Sequence, residues 1–208
     1  MTVLSLNTKQ KYGSLLAGNA FYEPGDFSSI TTVTVGSGGT SSVTFSSIPS
    51  TYTHLQIRYI SRGLGSANND TYDIIQFTFN GVAGTSYAWH EMAVDGNTSG
   101  AVMAQSGSSA AYVRSWSAGN LSVSGNYGAG VVDILDYANT SKNKTIRMLS
   151  GFDNNGNLGG NPLKYYRYGS ASANSGLYLS TNAITSITIN GIGNLDQYSS
   201  FALYGITA

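Results

Sequence analysis

HLQIRYISR (residues 54–62) alternates strictly, with Leu55, Ile57 and Tyr59 on one face and Gln56 and Arg58 on the other. A period of two is the side-chain period of a β-strand that buries one face. DIIQFTFN (73–80) repeats the pattern, placing Ile75, Phe77 and Phe79 inward and Gln76 and Thr78 outward, and it ends on Asn80-Gly81, a strong turn signal. Upstream, ITTVTV (30–35) and SSVTFSSI (41–48) flank GSGGT, which reads as a Gly-rich hairpin. Pro49 then interrupts the ladder, because it has no N–H to donate. Downstream, AGVVDILDY (129–137), KTIRMLSGF (144–152), LKYYRYGS (163–170), SGLYLS (175–180), ITSITIN (184–190) and SSFALYGI (199–206) read as strands, and DNNGNLGGNP (153–162) as a long turn. Residues 93–128 are rich in Gly, Ser and Ala and weakly periodic, with short strands expected at AVMAQ (101–105) and AYVRSW (111–116). No 3.6-residue pattern persists beyond two turns. Short strands separated by Gly/Asn/Ser turns predict an all-β fold: an antiparallel two-sheet β-sandwich, jelly-roll-like, with the last strand central in its sheet.

Composition narrows the function. Of 208 residues, 26 are Gly and 30 are Ser, 10% are charged, and ten basic residues balance ten acidic ones. A typical soluble domain carries roughly 25% charged residues. Ten scattered cations do not make the basic patch that releases counterions from nucleic acid, so no nucleic-acid partner is expected. Without Cys there is no disulfide framework, thiolate metal site or Cys nucleophile. No apolar run approaches the roughly 20 residues of a membrane-spanning helix, so no membrane insertion is expected. The opening MTVLSLNTKQ has no charged region followed by an apolar stretch, and synthesis in a cytoplasm is expected. The Ser/Thr/Asn/Gly/Tyr-rich surface suits an exposed protein, and a virion component, made in a host cytoplasm, meets both conditions.

Residues 1–29 have no sustained period and read as an extended N-terminal arm ahead of a β-sandwich domain at 30–208. Leu4, Leu6, Leu15, Leu16, Phe21 and Tyr22 are the candidate anchoring residues: a disordered tail rarely carries so many apolar side chains, so docking on a neighbouring subunit is expected.

Chemistry-bearing motifs are sparse. There is no Gly-x-Ser-x-Gly elbow and no phosphate loop, and only His54 and His90 could serve a triad. Each reads first as a structural histidine, His54 at a strand edge and His90 in a strand or loop that supports packing. Asp153-Asn154-Asn155-Gly156-Asn157 resembles the start of a calcium loop but has no downstream Glu, and reads as a plain turn. The carboxylate pairs Asp70/Asp73, Glu91/Asp95 and Asp133/Asp136 do not stand out as general acid and base. No catalytic residue, metal or cofactor is expected, and the chain is read as non-enzymatic. The 15 Tyr are the enriched class. Trp116, Tyr165, Tyr166, Tyr168 and Trp89 are candidate glycan or subunit contacts, or else packing residues.

FSSIPSTYTHLQIRYISR (45–62), FTFNG (77–81), ITSITI (184–189) and FALYGI (201–206) together resemble small β-sandwich virion structural proteins of tailed bacteriophages. The resemblance covers most of residues 24–206, and its motifs are structural. It implies a minor tail or fibre protein, or a head appendage, anchored by its arm, with other virion proteins as partners. It also implies a homo-oligomer, trimer favoured; the Tyr and Trp residues add host surface polysaccharide as a candidate partner. A capsid decoration protein and a lectin-like carbohydrate-binding module are the alternatives.

Overall fold

A computed structural model describes residues 27–64, 71–95, 101–154 and 169–207, with the backbone alone for 94–95, 101–109 and 169–170. The arm residues Leu4, Leu6, Leu15, Leu16, Phe21 and Tyr22 lie outside the described residues, as do Tyr165, Tyr166 and Tyr168. Twelve strands run through the described residues, and no helix does. They are β1 (Phe27–Thr34), β2 (Thr40–Phe45), β3 (His54–Ser61), β4 (Tyr72–Phe79), β5 (Tyr87–Asp95), β6 (Ala101–Ala110), β7 (Val113–Ala118), β8 (Gly128–Leu135), β9 (Lys144–Asp153), β10 (Gly169–Tyr178), β11 (Ile187–Leu195) and β12 (Ser200–Ile206).

The strands form two antiparallel sheets packed as a β-sandwich. The large sheet has the order β1-β12-β3-β8-β9-β10-β5-β6 and the small sheet β2-β11-β4-β7. The expected alternation is present in β3 and β4: Leu55, Ile57, Ile75, Phe77 and Phe79 are completely buried. The last strand lies inside its sheet, between β1 and β3. Strand β1 begins at Phe27, three residues before the periodicity becomes legible.

GSGGT does not close a hairpin. β1 pairs with β12 and β2 with β11, so residues 36–40 carry the chain from one sheet to the other. β12 and β11 each have a side that only β1 and β2 fill, and an isolated β1–β2 hairpin would leave both open. The crossing is tight. Gly38 and Gly39 take φ of +88° and +73°, where a β-carbon is strained, and a Cβ on Gly39 would strike the Leu195 carbonyl. Val35 is pinned beside it, donating to Ser199 O (2.8 Å) and accepting from Tyr198 N (2.9 Å).

Between the sheets, Leu55, Ile57, Tyr59, Val132, Ile134, Ile146, Met148, Phe201 and Leu203 of the large sheet meet Val43, Phe45, Ile75, Phe77, Phe79, Val113, Ile187 and Ile189 of the small one. Each such side chain contributes about 1.5–3 kcal/mol by leaving water. Tyr59 hydrogen-bonds Ser115 Oγ and Trp116 O, both at 2.8 Å, so its buried hydroxyl stays satisfied while burial pushes its pKa up to about 12. Strands β5–β6 and β9–β10 leave and re-enter the framework as two excursions. They pair with each other through β10 and β5, extending the large sheet past the last small-sheet strand, β7.

Candidate functional site

Trp116 and Trp89, candidate glycan or subunit contacts or else packing residues, are 3% and 8% exposed. Trp116 stacks on Tyr72 (4.8 Å between ring centroids) in a second cluster with Ala93, Ala118 and Phe152. Trp89 lies under the Arg114 guanidinium at 3.8 Å, and Arg114 Nε pairs with Glu91 at 3.0 Å. Asn174 Nδ2 donates to Arg114 O (2.7 Å) and to Glu91 (3.3 Å). Both indoles are packing groups because β7 closes over β5, β9 and β10; neither offers a ring face to a ligand in this arrangement. Local alternation could not reveal that, since it does not say which strands lie across the interior.

The carboxylates are likewise engaged one by one. Asp133 accepts from Gln56 Nε2 (2.7 Å) and pairs with Arg147 (2.9 Å) on the outer face of the large sheet. Asp136, in the turn after β8, meets Lys142 at 2.6 Å and His54 at 3.7 Å, and the Lys142 hydrogen bond holds its carboxyl below the usual range. Among the described residues, no three His, Asp or Glu groups are placed to share a metal ion. Asp73 is completely buried at the start of β4. Its Oδ1 accepts from Ile74 N (2.7 Å) and Ile192 N (3.3 Å), while Oδ2 has no hydrogen-bond partner among the described residues. Desolvation pushes its pKa up to about 6, against the pull of these backbone donors. Gly63 packs directly on this carboxylate, in the space a Cβ would need.

Two surfaces stand out. The first is an open cleft of about 330 Å³ at one end of the sandwich, bordered by Tyr127, Tyr198, Asp196, Gln197 and Ser124 over Arg62. Its floor is built by Arg62, immediately after β3 and nearly buried. Arg62 Nη1 donates to Val123 O (2.7 Å) and Asn126 O (3.2 Å), and Nη2 to Asn120 O (3.1 Å) and Ser122 O (3.0 Å). Nε faces Asp196 Oδ2 at 3.5 Å. One guanidinium thus gathers four carbonyls of the loop between β7 and β8. The loop residues Gly119-Asn120-Leu121-Ser122-Val123-Ser124-Gly125-Asn126 favour turns, and Ser122 N→Gly119 O and Asn126 N→Val123 O close two of them. Opposite, Tyr127 donates its hydroxyl to Gln197 O (2.8 Å); burial raises its pKa first and nearby Asp196 second. Lys144 plays the corresponding part at the other end of the sandwich, its Nζ donating to the carbonyls of Asn139, Lys142 (2.8 Å) and Thr181 (3.1 Å). In a chain so poor in charge, two cations are used to fasten loops.

The second surface is the outer face of the large sheet. Cross-strand register sets Val131 opposite Leu149, Leu149 opposite Ala173, and Ala173 opposite Met92. The next row sets Ile60 opposite Ala129, Ala129 opposite Gly151, and Gly151 opposite Ala171. Leu149 is 64% exposed, and Ile60 and Met92 are each 55% exposed. A polar row borders them. Arg58 Nε donates to Gln56 Oε1 (2.7 Å), Gln56 reaches Asp133, and Arg147 closes the chain. Arg58 also lies over Tyr204 and Phe27, at 4.9 and 5.1 Å. The alternating sequence marks these positions as outward but suggests polar occupants, which β8, β9 and β10 lack along this row.

No protein-family model matches the chain, and no curated protein matches it significantly.

Proposed function

We propose that the chain is a non-enzymatic structural protein of a tailed-bacteriophage virion, a tail, fibre or head appendage built as a jelly roll. The strand order supports this reading of the framework. Without the two excursions, β1-β12-β3-β8 faces β2-β11-β4-β7, and this nesting of first with last strands matches the double Greek key expected of a jelly roll. The motifs that carry the resemblance are also neighbours in space: in β3 and β12, Tyr59 lies opposite Phe201 and Ile57 opposite Leu203.

The observation that carries the assembly part is the apolar outer face. A contiguous row of Val131, Leu149, Ala173 and Met92, edged by the polar chain Arg58–Gln56–Asp133–Arg147, suits a subunit contact better than scattered surface residues would. We place neighbouring virion subunits there, a further copy of this chain first, in a closed ring such as a trimer. Mass spectrometry of gradient-purified particles from the source of the gene tests the virion reading: the chain is expected in multiple copies per particle. Its recovery only in the soluble fraction of lysed cells would overturn the reading. Fractionation into heads and tails separates the appendage from a capsid decoration protein. Light scattering coupled to size exclusion tests the face, with wild type expected as an oligomer and Leu149→Arg as a monomer. A monomeric wild type at working concentrations would place the contact elsewhere.

A further inference from the structure

Tyr198 is held in a conformation that the fold does not need a tyrosine for. Its φ is +65°, in the left-handed region where Gly or Asn is less strained than a bulky residue. Its ring is 70% exposed, so burial returns little of that strain. The segment is fixed on every side: Asp196 N donates to Arg62 O (2.8 Å), Gln197 N to Asp196 Oδ1 (2.7 Å), and Tyr198 N to Val35 O (2.9 Å). A large aromatic on a rigid, strained turn at the mouth of a cleft has the arrangement of a binding platform.

The charges choose the ligand. Among the described residues Arg62 is the cation that lines the cleft, and its four terminal N–H groups are committed to loop carbonyls while Nε faces Asp196. No guanidinium donor remains for an incoming anion, which would meet the partly exposed Asp196 carboxylate instead. A neutral ligand rich in hydroxyls suits the same groups, since hydroxyls donate to a carboxylate and exchange hydrogen bonds with the Gln197 amide and the Ser124 hydroxyl. About 330 Å³ is at the small end of the range of ligand sites, roughly 300–1,000 Å³.

We infer that this cleft binds a neutral saccharide, with Tyr198 as the stacking platform and Asp196 as the hydroxyl acceptor. The inference stands on the cleft alone and does not require a place in a virion. The test is ligand-observed saturation-transfer NMR on the purified chain. The probes are neutral mono- and oligosaccharides of glucose, galactose, mannose and N-acetylglucosamine, alongside sialylated and uronate-containing ones. Wild type is expected to bind neutral probes with Kd of about 1 mM or tighter. Binding of oligosaccharides alone would point to a polymer, and equal binding of monosaccharides to a free sugar. Tyr198→Asn, which tolerates the left-handed backbone, is expected to weaken binding at least tenfold with an unchanged circular dichroism spectrum and thermal midpoint. Thr140→Ala, exposed in the turn after β8 at the other end of the sandwich, is expected to bind as wild type does. Absence of binding by any probe, binding of acidic probes only, or undiminished binding by Tyr198→Asn would overturn the assignment.

Discussion

Replacing Arg62 by Met removes the guanidinium while keeping much of its apolar stem. Hydrogen bonds to charged groups contribute about 1.5–3 kcal/mol each, so four summed naively would reach roughly 6–12 kcal/mol. That sum is too large, because losing the cation also relieves its desolvation and water can reach parts of an end loop. Breaking a buried charged network by deleting one partner costs about 3–5 kcal/mol, and Arg62→Met is expected within that range. Arg62→Lys keeps the charge but not the planar fork that bridges Val123 and Asn126 with one nitrogen and Asn120 and Ser122 with the other. It is expected to restore less than half of the loss. Urea denaturation followed by tryptophan fluorescence measures both, since Trp116 is buried just before the loop that Arg62 gathers. Hydrogen exchange at Gly119, Ser122 and Asn126 is expected to quicken in both variants, because their amides donate within that loop system. A loss below about 1 kcal/mol in Arg62→Met, or full restoration by Lys, would show that the loop holds itself and that the fork is incidental.

Two further perturbations address the opposite charge. Asp73 titrates in the folded chain near 6, above its ordinary 3.8, so the native state binds its proton more tightly than the unfolded state does. The resulting stabilisation is complete below about pH 4 and is lost as pH rises through about 6, a difference of roughly 3 kcal/mol. Asp73→Asn is therefore expected to gain on wild type between pH 4.5 and 7.5 in chemical denaturation; a pH-independent difference would contradict the assigned titration. Gly63→Ala drives a methyl group onto the Asp73 carboxylate and is expected to cost about 1–3 kcal/mol. In an Asp73→Ala background, which keeps only the Cβ contact, that cost is expected to fall, measured as a double-mutant cycle, and strict additivity would refute the contact.

Period-two reading identified β3, β4, β8, β9 and β12 because each buries alternate residues against a single layer. It failed where partners are distant in sequence. GSGGT has the chemistry of a hairpin turn, and only the vacant sides of β11 and β12 make it a crossover. Trp116 and Trp89 read as contact or packing residues alike until β7, which carries Trp116, is seen to pack against β5, β9 and β10. Arg62 ends a strand motif and carries no further local signal, because the carbonyls it gathers lie some sixty positions on. Tyr198 belongs to a Gln-Tyr-Ser-Ser stretch with no motif at all; its backbone angle, invisible in the sequence, is what singles it out. The small apolar residues of β8 and β10 carried the one legible hint of the apolar outer face, a lack of polar alternation.

The nested pairing of first and last strands has a consequence for birth on the ribosome. β4 is complete at Phe79, yet its neighbour β11 starts only at Ile187, and β1 waits for β12. At synthesis rates of about 5–20 residues per second, Ile75, Phe77 and Phe79 remain without that partner for roughly ten seconds. Folding must then close its longest loops last, which makes it slow by topology rather than by any weak interaction. Yield in a recombinant host should thus depend on chaperone supply and growth temperature more than on the stability of the finished sandwich.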